Sequence, residues 1–238
     1  MLNSKLDVKQ LRRTYLRQNR VRIENFLEPH IASQLQSLVG EDSMPMHIAF
    51  YVNAMPKTIS RMEFEALENQ TKEALTRELL QLAGQGIGYC YETVMPKNIK
   101  NREVSISGQG HDLLVQLANC FSSPEVIKLV RQVSGNKVIK EADAQLTRFT
   151  EGHYITRHRD EVPSKRRELA YILSLTDGWH PDWGGLLQFY KPDGSVRDAW
   201  TPKFNTLSLF GIEHIHSVTY VTPYAKVPRY SMTGWFMA

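Results

Sequence analysis

The sequence predicts one α+β domain with a mainly β core, built as an antiparallel β-sandwich or jelly roll, and with flanking helices. Its 238 residues and 42% hydrophobic content are enough to bury one sizeable core. Helically spaced apolar residues dominate residues 1–141, whereas short β-like segments separated by turns dominate residues 142–238. Strands that follow a helical half are typical of a sandwich braced by helices.

The first half contains several helix signals. Pro29 suits the first turn of a helix and Gly40 its end, while Ser123 and Pro124 suit the start of another. Residues 84–111 are rich in glycine and polar side chains, and both a substrate lid and a plain surface connection fit that composition. The predicted elements are helices at 6–19, 29–39, about 60–83, 112–120 and 124–133, with a short strand at 20–27.

The second half alternates apolar and polar residues over short segments, and turn signals such as "KPDGS" separate them. This pattern is typical of half-buried antiparallel strands. The predicted strands are 143–149, 153–159, 168–175, 185–190, 204–210, 215–221 and 229–237.

Composition narrows the classes of function. The net charge of +4 and the pI near 9.0 are mildly basic, and a solvated face or an anionic small molecule explains them as well as a nucleic acid does. Cys90 and Cys120 lack the spacing of a zinc site or a disulfide framework. No apolar run reaches the roughly 18 residues of a membrane span. We therefore expect a cytoplasmic protein without a membrane partner.

The segment "GHYITRHRDE" (152–161) carries the first candidate ligands. On a strand, residues i and i+2 face the same side, so His158 and Asp160 would share one face. Such a pair can be a structural contact or two legs of a metal site. A third ligand would come from "FGIEHIHSVTYV" (210–221), where His214 and His216 also share a face. Two histidines and one carboxylate leave coordination positions open, as in non-heme Fe(II) oxygenases.

Arg229 and Ser231 share a face of the last predicted strand, "RYSMTGWF" (229–236). A guanidinium fork together with a hydroxyl suits a carboxylate ligand. This strand follows the second histidine cluster, which favours a metal site with an anion site beside it over a chance H-x-D pair.

These residues resemble the 2-oxoglutarate- and Fe(II)-dependent dioxygenase superfamily, whose pattern is H-x-D, a distal histidine often followed by x-Val, and Arg-x-Ser. The matching residues here are His158-Arg159-Asp160, His216-Ser217-Val218 and Arg229-Tyr230-Ser231. The segment "RVRIENFLEPHIASQL" near the N-terminus also resembles the prolyl-hydroxylase-like branch.

The resemblance implies a single oxygenase domain over residues 1–238, with a double-stranded β-helix at 142–238 and a mostly helical support, including the candidate lid, at 1–141. It implies that His158, Asp160 and His216 bind Fe(II), with His216 favoured over His214. It further implies 2-oxoglutarate as co-substrate, O2, and ascorbate as an optional reductant. Arg229, Ser231 and a tyrosine, for which we take Tyr154, would bind the far carboxylate of 2-oxoglutarate.

The predicted activity is hydroxylation of an amino-acid side chain, with a prolyl residue of a protein or peptide as the favoured target. A small molecule or an alkylated nucleic-acid base is the alternative substrate, although the basic patches give nucleic acid little support. A non-catalytic jelly-roll protein that senses iron or oxygen is the alternative from another class. The sequence leaves the oligomeric state open. His153 is expected to be structural or to line the pocket, and His30, His47, His111 and His180 are expected to have structural or surface roles.

Overall fold

The computed structural model describes residues 1–40, 44–94, 109–162 and 164–238, with the side chains of residues 109–111 excluded. In these ranges the helices are α1 (Val8–Gln18), α2 (Pro29–Val39), α3 (Arg61–Glu65), α4 (Asn69–Gly84), α5 (Gln109–Phe121) and α6 (Pro124–Ser134). The strands are β1 (Arg20–Glu24), β2 (His47–Val52), β3 (Met55–Ser60), β4 (Tyr89–Val94), β5 (Glu141–Ala142), β6 (Gln145–Phe149), β7 (Tyr154–His158), β8 (Arg167–Ser174), β9 (Leu187–Tyr190), β10 (Val196–Trp200), β11 (Thr206–Gly211), β12 (His216–Val218) and β13 (Arg229–Met237).

The strands form one curled antiparallel sheet in the order β1-β11-β8-β13-β6-β4-β7-β12-β9-β10. Strand β4 joins its two halves, because Glu92–Val94 pair with β6 while Tyr89 and Cys90 pair with β7. The half from β1 to β6 and the half from β7 to β10 are the two walls of a jelly roll. The expected double-stranded β-helix with flanking helices is therefore confirmed.

The main hydrophobic core lies between the first wall and the helices. Alternate residues of the central strands point to it, as Leu207 and Leu209 of β11 do, whereas Ser208 and Phe210 point between the walls. Helices α2, α5 and α6 contribute buried leucines, valines and isoleucines to the same core. One face of each central strand is thus committed to packing, and the other is left for the space between the walls.

Helix signals in the sequence agree with the structure at several ends. Pro29 opens α2, and Ser123 caps α6 by accepting from the Val126 amide. In the described ranges no single helix is long and apolar enough to cross a membrane. Helices α5 and α6 together have the length and composition of a membrane span, but a bend of 42° separates them.

Three expectations need correction. The long helix over 60–83 is two helices, because Ser60 and Glu63 form a capping box that starts α3, and the backbone is extended again at Glu68 before α4. The segment 84–111 contains strand β4, while its middle, 95–108, lies outside the described residues, so the lid stays a prediction. The edge strand β10 was not predicted, since apolar and polar residues do not alternate along it and its exposed residues are Val196, Arg197 and Ala199.

Candidate functional site

Two histidines and one aspartate meet between the two walls. The nearest ligand atoms of His158, Asp160 and His216 all lie within 4.8 Å of one another. Oδ1 of Asp160 is 3.6 Å from Nε2 of His158, and its Oδ2 is 3.5 Å from Nε2 of His216. The three donor atoms therefore face one point, from which a single metal ion can be held.

Strand pairing brings the two imidazoles together. His158 is the last residue of β7, and it lies directly opposite His216, the first residue of β12, with ring centroids 4.2 Å apart. Asp160 follows β7, and its amide donates to the carbonyl of Ile212 at 3.2 Å in the segment before β12. The backbone thus fixes the carboxylate against the strand that carries the distal histidine.

Both histidines present Nε2 to the cluster because Nδ1 is engaged elsewhere. Nδ1 of His158 lies 2.9 Å from the carbonyl of Thr156, and Nδ1 of His216 lies 2.9 Å from the carbonyl of His214. A carbonyl accepts only from a protonated Nδ1, which leaves Nε2 with a free lone pair. Burial and the neighbouring His158 lower the pKa of His216 to about 4, so this imidazole is neutral, as a metal ligand must be.

Arg229 is a buried cation near this cluster. Only 3% of the residue is exposed, and its Nε and Nη1 have no hydrogen-bond partner in the described part of the chain. Its guanidinium carbon lies 5.3 Å from the centre of the Phe149 ring, and burial lowers its pKa to about 10. An unpaired buried cation is costly, and an anionic ligand is the usual compensation.

Ser231 lies two residues beyond Arg229 on the same face of β13. Its hydroxyl is buried without a partner among the described residues, and the same holds for Ser174, which stands directly opposite on β8. The pair does not reach the surface of the cavity described below. A role of Ser231 in carboxylate binding remains a prediction, and Ser174 is a second hydroxyl that the sequence motif did not indicate.

Tyr154 lies away from this site. Its hydroxyl donates to the carbonyl of Leu79 at 2.8 Å, so it is engaged with helix α4. The cause is an irregularity between β7 and β12, where His158 pairs with His216 but Ile155 pairs with Val218. Three steps along β7 match two along β12, which reverses the side-chain alternation and turns Ile155 and His158 inward.

Tyr91 is a tyrosine of the cavity that shares the neighbour Phe149 with Arg229. It lines the same cavity and stacks on Phe149, with ring centroids 5.4 Å apart. Burial raises the pKa of its hydroxyl, which keeps the hydroxyl protonated and able to donate. The sequence offered no signal for this assignment, since Tyr91 belongs to β4 in the segment expected to be irregular.

The remaining candidates have structural roles. His214 places Nε2 3.2 Å from the carbonyl of Asn19, outside the cluster, and its own carbonyl orients His216. His153 is buried, and its Nδ1 accepts from the Thr150 amide at 3.0 Å. Trp179 is also buried, and its Nε1 donates to the Gly184 carbonyl, so its side chain packs at one end of the sheet.

The cluster and Arg229 open into one cavity of about 800 Å³. Aromatic and aliphatic side chains form much of its wall, and the β2–β3 hairpin contributes Tyr51 and Pro56. This volume lies within the range of about 300–1,000 Å³ that is common for ligand sites. Two imidazoles, one carboxylate and an unpaired arginine suit Fe(II) with open coordination positions and an anionic co-substrate beside it.

Comparison with known proteins agrees with this chemistry. Residues 144–237 match the model of the 2OG-Fe(II) oxygenase superfamily, and this segment contains all three residues of the cluster and Arg229. A stretch of 112 residues is 28% identical to mouse prolyl 3-hydroxylase OGFOD1. The stretch covers 44% of this chain but 20% of the mouse protein, so the chain spans about a fifth of that relative's length.

Solved structures agree with the fold. The prolyl-4-hydroxylase of Pseudomonas putida has a TM-score of 0.59 at 18% identity, covering 97% of this chain and 98% of that chain. A prolyl hydroxylase of Trichoplax adhaerens, solved with a hypoxia-inducible-factor peptide, has a TM-score of 0.59 at 17% identity, covering 97% and 88%. At such identities the likeness speaks for the architecture alone.

In the matched segment, the histidine–aspartate–histidine cluster and the buried arginine lie on or next to strands of a jelly roll. The sequence pattern predicted this placement. Fold, donor set and sequence match therefore agree, and residues 144–237 of this chain are similar to the 2OG-Fe(II) oxygenase superfamily.

Proposed function

We propose that this protein is a 2-oxoglutarate-dependent Fe(II) hydroxylase whose target is an amino-acid side chain, with a prolyl residue of a protein or peptide favoured. The observation that carries the proposal is the convergence of the three-residue cluster and the unpaired Arg229 on one cavity. A metal site without the cation, or the cation without a metal site, would support a much broader range of functions.

His158, Asp160 and His216 would hold the iron, and bound Fe(II) would supply the activation of O2 coupled to oxidation of 2-oxoglutarate. The chain's own contribution is positioning. Nδ1 of each histidine is fixed by a backbone carbonyl, and Asp160 is fixed through its amide, so the donors need little reorganisation. Burial around His216 also limits the access of water.

Arg229 would pair with the far carboxylate of 2-oxoglutarate. Its Nε and Nη1 are donors that lack partners, and a carboxylate can accept two parallel hydrogen bonds from one edge of a guanidinium. Phe149 lies beside the guanidinium, Tyr91 stacks on Phe149, and the two rings help to exclude water. Tyr91 is the tyrosine that we favour as an additional donor, while Ser231 would act from the same strand.

The prolyl target rests on the relatives. The mouse protein that this chain resembles is named a prolyl 3-hydroxylase, and two structures of similar fold are titled prolyl hydroxylases. The large, open cavity suits a side chain presented on a peptide. A free small molecule or an alkylated base is the competing substrate class, because one metal site serves many substrates.

Two measurements on the purified protein test the proposal. The first is formation of succinate from 2-oxoglutarate, which should require Fe(II) and O2 and disappear in Asp160→Ala. The second is mass spectrometry of peptides that contain proline, where transfer of one oxygen atom to the ring is expected. His214→Ala is the matched control, since its side chain lies outside the cluster.

The outcomes separate the alternatives. Succinate formation with oxygen transfer only to a small molecule or an alkylated oligonucleotide would move the protein to the competing substrate class. Tight binding of iron and 2-oxoglutarate without succinate formation under any condition would favour a sensor over an enzyme.

A further inference from the structure

Besides Arg229, four cationic side chains line the active-site cavity: Arg157, Arg159, Lys165 and Arg167. All four belong to the segment 157–167, which runs from the end of β7 to the start of β8. In the described part of the chain, Asp160 is the one carboxylate residue among those lining the cavity, and it belongs to the proposed iron site. The cavity therefore has an excess of positive charge that the iron and 2-oxoglutarate sites do not use.

Neighbouring acids cancel only part of this charge. Glu161 lies 3.6 Å from Arg159, and both side chains are about half exposed, so solvent weakens the pair. Glu168 is engaged elsewhere, because its carboxylate accepts from the Asn136 side chain at 2.7 Å. Within the described ranges no carboxylate lies within salt-bridge distance of Arg157 or Lys165.

The free cations are placed to meet a ligand. The guanidinium of Arg157 lies 5.5 Å from the centre of the Tyr190 ring, and that of Arg167 stacks on Trp235 at 3.3 Å. Stacking on an aromatic ring restricts each guanidinium. Nη1 of Arg167 also donates to the Asp160 carbonyl at 3.4 Å, so Arg157 has more N–H groups available to a ligand. Lys165 is exposed between them along the chain. A negatively charged ligand that enters the cavity would pass these groups.

We propose that the substrate is an acidic peptide segment, in which aspartate or glutamate side chains flank the hydroxylated residue and pair with Arg157, Lys165 and their neighbours. This inference rests on the proposed function and names the substrate class of the same site. Arg157, Arg159, Lys165 and Arg167 together form a cationic rim of the cavity. Carboxylates beside the target residue would meet this rim when the target enters the cavity. The pairing would increase both the association rate and the affinity.

A peptide fits this rim better than a nucleic acid does. The cations are gathered around one cavity, whereas single-strand binding sites extend a positive groove along the backbone. The neighbouring tyrosines are also packed on one another, with ring centroids 6.3 Å apart for Tyr51 and Tyr89 and 5.5 Å apart for Tyr89 and Tyr91. Tyr91 stacks in turn on Phe149. Rings in such a row offer few open faces to bases.

The test is a binding measurement with the full chain loaded with Fe(II) and 2-oxoglutarate under anaerobic conditions. Three fluorescent peptides share a central proline and carry aspartate and glutamate, glutamine and asparagine, or lysine at the flanking positions. The acidic peptide should bind about tenfold more tightly than the neutral one, since several screened contacts each contribute a small factor. The preference should shrink between low and high salt, because these cations are exposed.

Matched variants locate the effect. Arg157→Gln combined with Lys165→Gln should remove most of the acidic preference. Arg166→Gln should keep it, because Arg166 is an exposed cation of the same segment that does not line the cavity. Bound iron and 2-oxoglutarate affinities should be unchanged in the double variant, which separates loss of peptide binding from damage to the site.

Equal or undetectable binding of the three peptides would overturn the inference, and so would a preference for the lysine peptide. Tighter binding of a single-stranded oligonucleotide that displaces the acidic peptide would overturn the assignment to a peptide. The proposed function is judged separately by oxygen transfer. An acidic preference without hydroxylation of any peptide would contradict the function and leave the charge preference standing.

Discussion

At the scale of single residues, burial of the unpaired Arg229 guanidinium costs free energy, and an anionic ligand would offset that cost. Its guanidinium is buried, and two of its nitrogens lack partners in the described structure. Arg229→Ala should weaken 2-oxoglutarate binding by roughly 3–5 kcal/mol, since the ligand carboxylate would lose its buried partner. Arg229→Lys should also bind more weakly, because an ammonium cannot form two parallel hydrogen bonds. Anaerobic titration of 2-oxoglutarate into the Fe(II)-loaded proteins measures both effects.

Iron affinity should be similar in all three proteins, because Arg229 is not part of the metal cluster. Unchanged 2-oxoglutarate affinity in Arg229→Ala would remove the main support for the co-substrate site.

The metal cluster makes a second prediction about single residues. Loss of His158, Asp160 or His216 to alanine should reduce Fe(II) affinity by more than the roughly 10- to 100-fold that loss of an outer partner costs. His214→Ala should be mild, because its backbone carbonyl, and not its ring, orients His216. Equilibrium dialysis with Fe(II) gives the affinities. If His214→Ala lost iron while His216→Ala retained it, the distal ligand would be His214.

At the scale of elements, the turn before β9 depends on glycine. Gly184 has φ +71° and ψ −146°, and a Cβ built there would lie 1.9 Å from the Tyr220 carbonyl oxygen. This backbone region is essentially restricted to glycine and costs other residues about 1–3 kcal/mol before any steric overlap. We expect Gly184→Ala to destabilise the fold strongly and to weaken iron binding, because the displaced segment continues from β12.

Gly178→Ala is the control for Gly184, since Gly178 also has a positive φ of +66° but open space where its Cβ would stand. It should cost only about 1–2 kcal/mol, the penalty of the left-handed region. Urea unfolding of the two variants compares them directly. Equal losses would show that contact with Tyr220 contributes nothing.

Sequence patterns predicted local features well and irregular pairing poorly. Alternation located the central strands, because each has one buried face, and the cap at Ser123 located α6. Tyr154 was misplaced because the irregularity between β7 and β12 depends on pairing with a strand far along the chain. Strand β10 was missed because an edge strand with charged side chains lacks the apolar alternation.

At the scale of the whole molecule, the metal ligands were predictable because their chemistry is specific and their spacing is short or matches a family pattern. The surroundings were not predictable in the same way. Tyr91 reaches the cavity on β4, which links the two walls, and no local pattern in the sequence indicates that placement. The cationic rim likewise becomes visible only when the cavity is known, since the same charges in the sequence also fit a solvated face.

Stability of the whole molecule should depend on pH through His153. Burial lowers the pKa of His153 to about 4, and its Nδ1 accepts a hydrogen bond from the Thr150 amide, which requires the neutral ring. An unfolded histidine has a pKa near 6.5, so between about pH 6.5 and pH 4 the unfolded chain binds more protons than the folded one. Stability from this residue is therefore present above about pH 6.5, and it falls by up to roughly 3 kcal/mol as the pH drops towards 4. His153→Gln should flatten this part of the curve, whereas His180→Gln, at an exposed histidine, should leave it unchanged. Urea unfolding of the metal-free proteins from pH 4 to pH 8 measures the slopes.

Burial of His216 contributes to the pH dependence in the same direction in every variant. If the slope in His153→Gln equalled that of the parent protein, His153 would protonate as readily in the folded chain as in the unfolded one.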